Sequence, residues 1–419
     1  MKYLCSIIFI LFTHHFSFSQ TLVAATPESQ GMSTQRLQRI DKVVNEYVEK
    51  SYTAGAVVLV VRNGKIVYNK GLGYDDLSTR KLMQKDAIFR IASQSKAIAS
   101  VAVMMLYEEG KFLLDDPISK YIPSFKNPTV LDKYNEKDTT YTTVPARREI
   151  TIRDLLTHTS GISYAGIGTK EAVAIYAKNK IPSGIGTPDY TLEDAINRLA
   201  KMPLVHHPGE KWTYGLNTDV LGYFVEIMSG MSFDSFLHER VFKPIGMNDT
   251  YFYLPESKFS RLAALNTEDK DKMVMKVTGN QGNYPTQKGT YFSGGAGLVS
   301  TATDYAMFLQ MLLNGGKYNG QRLLSPITVN MMIHNQIGNL SVGNNKFGLG
   351  FGLTTTAEAA RIPPSEGTFD WGGYYGTTYW ADPKEGIIGL IMTQKVPNSY
   401  GDLGEKFKVL VYQAITKLN

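Results

Sequence analysis

The segment from Gln94 to Glu109, QSKAIASVAVMMLYEE, is built from helix formers, carries no charge between Lys96 and Glu108, and is stopped by Gly110. A helix that is apolar on every side is stable only when other elements cover every side. The chain must therefore supply layers around it. Its 419 residues, 43% of them apolar and 20% charged, are ample for one large two-lobed unit or two to three ordinary domains.

Those layers can be read from local patterns. Ser33 predicts an N-cap for a helix over 34–50, with Leu37, Ile40, Val43, Val44 and Val48 at helical intervals. Ala56 to Val61 is a β-branched run, Asn63-Gly64 a two-residue hairpin turn, and Ile66-Val67-Tyr68 the returning strand. Asp115-Asp116-Pro117 predicts a cap followed by proline at the first helical position, and Thr151 opens another short helix. Near the end, Thr377 to Ala381 and Ile387 to Thr393 read as strands about the turn 382–386, followed by a closing helix from Leu403 to Leu418. Strands at both ends with helices between predict an α+β fold, an α/β sandwich. In it an antiparallel sheet built from both chain ends (about 30–90 and 285–419) is flanked by terminal helices, and a mostly helical lobe (about 91–284) is inserted. Catalytic groups belong in the cleft between the lobes.

Composition removes several classes of function. Forty-four Lys and Arg against 38 Asp and Glu leave a charge of +6, but no run of like charge forms, which argues against nucleic acid as a partner. The only cysteine, Cys5, lies in the apolar run Tyr3 to Phe12. Lys2 before that run and Ser17-Phe18-Ser19 after it resemble a secretory signal at 1–19, so the chain from residue 20 is expected to be exported to the periplasm or medium. The run is too short to span a bilayer, and no later segment is both long and charge-free enough to do so. There is no G-x-S-x-G, H-E-x-x-H or phosphate-binding loop, and His206-His207 are adjacent and so point apart; no metal or cofactor is expected.

What remains is Ser-x-x-Lys, present as Ser78 to Lys81 and as Ser93 to Lys96. Context separates them, because Ser78 follows Asp75-Asp76 whereas Ser93 opens the apolar helix. One helical turn puts the Lys96 amine within reach of the Ser93 hydroxyl. Burial is expected to depress the lysine pKa and so to make it a serine activator, while a plain N-cap role for Ser93 is the competing reading. A tyrosine can carry the proton onward. Tyr214 is a candidate, but spacing does not single it out among 25 tyrosines.

Several segments then agree in order: Phe89 to Lys96, Ile150 to Gly161, Pro208-Gly209 with Trp212-Thr213-Tyr214, Pro244 to Met247 with Asp249-Thr250, Gly294 to Leu298, and Trp371-Gly372-Gly373 before Gly376-Thr377. From Gln30 onward the chain resembles the class C β-lactamase-related serine hydrolases, which include D-alanyl-D-alanine carboxypeptidases and family VIII carboxylesterases. The resemblance implies Ser93 as acyl-enzyme nucleophile, Lys96 as proton partner, Tyr214 as general base and acid, and backbone N–H groups of Ser93 and Tyr374 as the oxyanion hole. It gives the His158 segment a structural role. Two positions depart from the family. Leu216 stands where β-lactamases carry asparagine, leaving Asn217, one residue on, as the substitute substrate contact. Trp371 stands where a lysine would attract a substrate carboxylate, so Trp371, Gly372 and Gly373 offer an apolar, close-fitting wall. That favours small-molecule esters over the alternatives of β-lactams or peptidoglycan peptides; a non-catalytic wall-binding module is a further alternative.

Overall fold

The computed structural model describes residues 21–186, 190–282 and 284–419, so the expected leader at 1–19 lies outside the described residues. Strand β1 (Val23–Ala24) runs parallel to β3 (Lys65–Asp76), which forms the expected hairpin with β2 (Gly55–Arg62). Asn63 and Gly64 hold φ of 51° and 72°, the left-handed values that a two-residue turn between twisted strands requires. A short β4 (Lys81–Leu82) extends the far end of β3. The chain returns to the same sheet much later through β5 (Lys346–Phe347), β6 (Gly352–Leu353), β7 (Phe369–Gly372), β8 (Thr378–Asp382) and β9 (Ile387–Met392). The order is β1-β3-β2-β9-β8-β7-β6-β5, and β9 lies antiparallel to β2 with Leu390 opposite Leu59. The centre of the sheet therefore joins the two ends of the chain, as the α+β reading expects.

Because side chains alternate along a strand, the sheet has two apolar faces. Val57, Leu59 and Val61, with Ile388, Leu390 and Met392, join one core together with α2 (Ser95–Glu108) and α5 (Ala302–Leu313). Ala56, Val58 and Val60, with Ile387, Ile391 and Trp380, form the other with α1 (Arg39–Glu49) and α6 (Leu403–Tyr412). Every residue of α2 from Ser95 to Leu106 is buried, as its apolar sequence demands. The central region also holds α3 (Ile152–Thr157), capped reciprocally by Thr151 and Asp154, and α4 (Asn217–Ser229).

Three local expectations change. The first helix breaks at Gln38, after one turn from Thr34 to Leu37. Pro117 is extended and precedes a single 3₁₀ turn, because the Ile118 N–H is taken by the Ile150 carbonyl. The closing helix ends at Tyr412 instead of Leu418. The fully buried Arg62 guanidinium needs acceptors, and it finds them in Glu385 and in the carbonyls of Gly31 and Lys417, which the last residues reach only by leaving the helix. The inserted region is also not purely helical, since it carries hairpins at Thr129–Tyr134 with Tyr141–Pro145 and at Asn266–Glu268 with Val274–Lys276.

Candidate active site

Ser93 sits in a single 3₁₀ turn, Ala92–Gln94, that leads into α2. It caps no helix, and Ala92 before it holds φ of 42°, a left-handed conformation that costs a non-glycine residue energy and presents the next side chain to the cleft. The turn is clamped from behind. Arg90 donates to the carbonyls of Tyr284 and Ala263, and the Tyr305 hydroxyl donates to the Gln94 carbonyl.

Lys96, one turn on, donates to Ser93 Oγ at 3.3 Å, to the Tyr164 hydroxyl at 3.0 Å and to the Gly295 carbonyl at 2.6 Å. The Tyr214 hydroxyl lies 2.7 Å from Ser93 Oγ and the Lys96 ammonium 4.6 Å from the centre of the Tyr214 ring. Tyr214, 121 residues beyond Ser93, thus converges on the Ser93–Lys96 pair. The other Ser-x-x-Lys does nothing comparable: Ser78 bonds Asp76 and Lys81 bonds Asp75 on the surface.

The expected depression of the Lys96 pKa is overturned. Burial does work to lower it, but the oxygens of Tyr164 and Tyr214 outweigh burial and hold the group above its ordinary value. Lys96 is an ammonium ion at neutral pH. Burial, opposed by Lys96, raises Tyr164 and keeps it a neutral phenol. His158 packs with its ring centre 5.1 Å from that of Tyr214, yet burial first and Lys96 second push its pKa well down, so it is uncharged. Its Nδ1 accepts from the Asn217 amide, which leaves the proton on Nε2.

That same bond removes Asn217 from the substrate site, contrary to expectation. Asn217 is fully buried, its carbonyl oxygen accepting from Ser160 and its amide donating to His158, and it does not line the cavity at Ser93. Trp371, Gly372, Gly373 and Tyr374 do line the cavity at Ser93, which encloses about 760 Å³ and also meets Tyr164, Ile167 and Tyr214. A Cβ on Gly373 would stand 2.5 Å from the Ile91 carbonyl, so glycine lets the end of β7 close onto the segment before Ser93. Beyond it, the Tyr374 N–H donates to no group among the described residues. Trp371 Nε1 reaches the Tyr214 hydroxyl at 3.4 Å, Trp212 and Trp371 pack on the Tyr214 ring, and Phe347 packs behind both tryptophans.

Sequence reasoning missed Tyr164 and Asp219. Asp219 is buried in α4 and accepts from Ser293 Oγ at 2.6 Å and the Tyr291 hydroxyl at 3.0 Å, which fixes the 293–297 turn whose Gly295 carbonyl receives Lys96. Its signal was an acid in the first turn of an otherwise largely apolar helix. Tyr164 had no such signal, because the contact that matters is 68 residues away. Among the described residues no cluster of ligating side chains could hold a metal ion.

Known proteins resemble this chain over most of its length. The chain is 29% identical over 374 residues to esterase EstB of Burkholderia gladioli, covering 85% of this chain and 89% of EstB. It is 28% identical over 389 residues to the lovastatin esterase of Penicillium rubens, covering 87% and 94%. The solved structure of EstCE1, a hydrolase with promiscuous acyltransferase activity, superposes with a TM-score of 0.78 at 28% identity over 90% of this chain and 99% of that one. The model of the beta-lactamase family matches residues 40–413, nearly the whole described chain. A sheet closed from both chain ends, a serine at the head of its buried helix and that match together make this protein a hydrolase of the beta-lactamase family.

Proposed function

We propose that the protein hydrolyses carboxylic esters through an acyl-enzyme on Ser93. The observation that carries this reading is the 2.7 Å approach of the Tyr214 oxygen to Ser93 Oγ beside the Lys96 ammonium, in a cavity walled by the uncharged Trp371. In the reactive form Tyr214 is a phenolate, facing the positive charge of Lys96. Ser93 Oγ gives its proton to Tyr214 as it bonds to the ester carbonyl carbon. The carbonyl oxygen takes up the electron pair and is held by the N–H groups of Ser93 and Tyr374. As the carbonyl re-forms, the alkoxide leaves with the proton from Tyr214. Water then repeats both steps on the acyl-enzyme and releases the acid. Lys96 keeps its proton throughout and supplies charge to the Tyr214 oxygen. EstB and the lovastatin esterase, both esterases by name, support the choice of substrate class.

The segment 1–19 is proposed as an export signal. No described helix is long and apolar enough to cross a membrane.

Short-chain chromogenic esters and a chromogenic cephalosporin, offered to the native protein and to Ser93→Ala, test the reading. Ester turnover that falls at least about a thousandfold in the variant, with acyl mass gained only by the native protein, is the expected result. A dominant cephalosporin rate would transfer the assignment to β-lactam hydrolysis, and full ester turnover by Ser93→Ala would refute the mechanism.

A further inference from the structure

The cavity at Ser93 does not end at Trp371. Asp370 and Trp371 are consecutive residues of β7, so their side chains point to opposite faces of the sheet. Yet Ser93, Tyr214 and Trp371 on one side and Glu405 and Lys408 of α6 on the other line one continuous space. The register explains the passage. β6 pairs with β7 only at Phe369 and Asp370, so β7 has an open edge at Trp371 and Gly372, where one residue is aromatic and the other has no side chain. The cavity turns around that edge into a rear arm.

The end of the arm is polar, with Lys408 buried, Asp370 partly buried and Glu405 exposed at its rim. Lys408 is only 6% exposed and its ammonium stands 5.7 Å from the centre of the Trp380 ring, on the face that carries α6. Its carboxylate contacts are long, 3.4 Å to Glu405 and 3.7 Å to Asp370, against about 2.8 Å for a full charge-assisted bond. A buried ammonium with only long contacts has donor capacity to spare. Asp370, raised by burial, likewise accepts no hydrogen bond shorter than that contact among the described residues.

We propose that this arm binds the hydroxyl-bearing end of the substrate's acyl chain, the hydroxyl accepting from Lys408 and donating to Asp370; this rests on the ester reading above. Charge selects this group. Two carboxylates and one ammonium sum to one negative charge, which repels a carboxylate-ended chain, while the spare donors of Lys408 call for an acceptor, which an ammonium-ended chain lacks. A plain alkyl end would leave the buried Lys408 and the partly buried Asp370 without a new partner. A hydroxyl serves both.

The test compares p-nitrophenyl alkanoates of increasing length with their ω-hydroxy and ω-carboxy counterparts, by kcat/KM. At the length that reaches the arm, the ω-hydroxy ester is expected to exceed the plain ester about tenfold and the ω-carboxy ester to fall below both. In Lys408→Met the ratio of hydroxy to plain rates should fall to near one. Absence of a hydroxy preference at every length, or its survival in Lys408→Met, would overturn the proposal. Binding of α,ω-diols against 1-alkanols to Ser93→Ala, measured by calorimetry, needs neither turnover nor the lysine variant. Diol preference there upholds the arm even if p-nitrophenyl acetate is not hydrolysed and the ester reading fails, and equal binding sinks it.

Discussion

Replacing Tyr214 by Phe removes one oxygen from a ring that is otherwise held by Trp212, His158 and Trp371. We expect kcat for a short ester to fall about 10²- to 10⁴-fold with little change in KM, because in the proposed mechanism the lost oxygen moves protons and does not hold substrate. Steady-state kinetics on the variant check this. His158 supplies a second expectation. It lies against Tyr214, but burial and Lys96 keep it neutral, so kcat/KM between pH 5.5 and 8 should show no step near the ordinary histidine value of about 6.5. A step there that vanished in His158→Gln would contradict the assignment. At this scale Ser93 and Lys96 were legible because they are one turn apart at the head of a helix whose burial its own sequence dictates. Tyr214 was legible only through family pattern. The charge state of Lys96 was not, since it depends on two tyrosines that the fold brings in from residues 164 and 214.

Helix α5 begins with a buried acid that makes stability depend on pH. Asp304, in its first turn, accepts from the Asp249 N–H at 2.7 Å and from Thr250 Oγ1 at 2.9 Å, yet burial pushes its pKa up to about 6. An aspartate in the unfolded chain titrates near 3.9, so the native state binds this proton more tightly. The group's contribution is then most favourable below about pH 4 and is lost as pH rises to 6, amounting to about 3 kcal/mol. Urea unfolding of native protein and Asp304→Asn across pH 4 to 7 should show the difference between them changing in that window and flat above it. Elements with local causes were readable: Asn63-Gly64 needs nothing beyond its two neighbouring strands, and Thr151 with Asp154 needs only one helical turn. The end of α6 was not, because Arg62, far away in the chain, draws residues 415–417 toward Gly31.

The whole molecule is held where its two ends meet. Arg62, with no exposed surface, ties β2 to Glu385 beside β9 and to the carbonyls of Gly31 and Lys417. Arg62→Ala leaves Glu385 buried without its cation and should cost about 3–5 kcal/mol in equilibrium denaturation, far more than loss of the exposed Lys50–Glu46 pair. The overall architecture could be read from strands at both termini. The bend of the cavity around β7 could not, because it comes from a register in which β6 stops two residues short. The pairing of β2 with β9 also sets a timetable. A nascent chain carries the β2–β3 hairpin early, but that hairpin has no neighbour on its β9 side until Met392 has been synthesised. Closing so long a loop is entropically slow. The polypeptide therefore spends most of its synthesis, up to Met392, without a completed sheet.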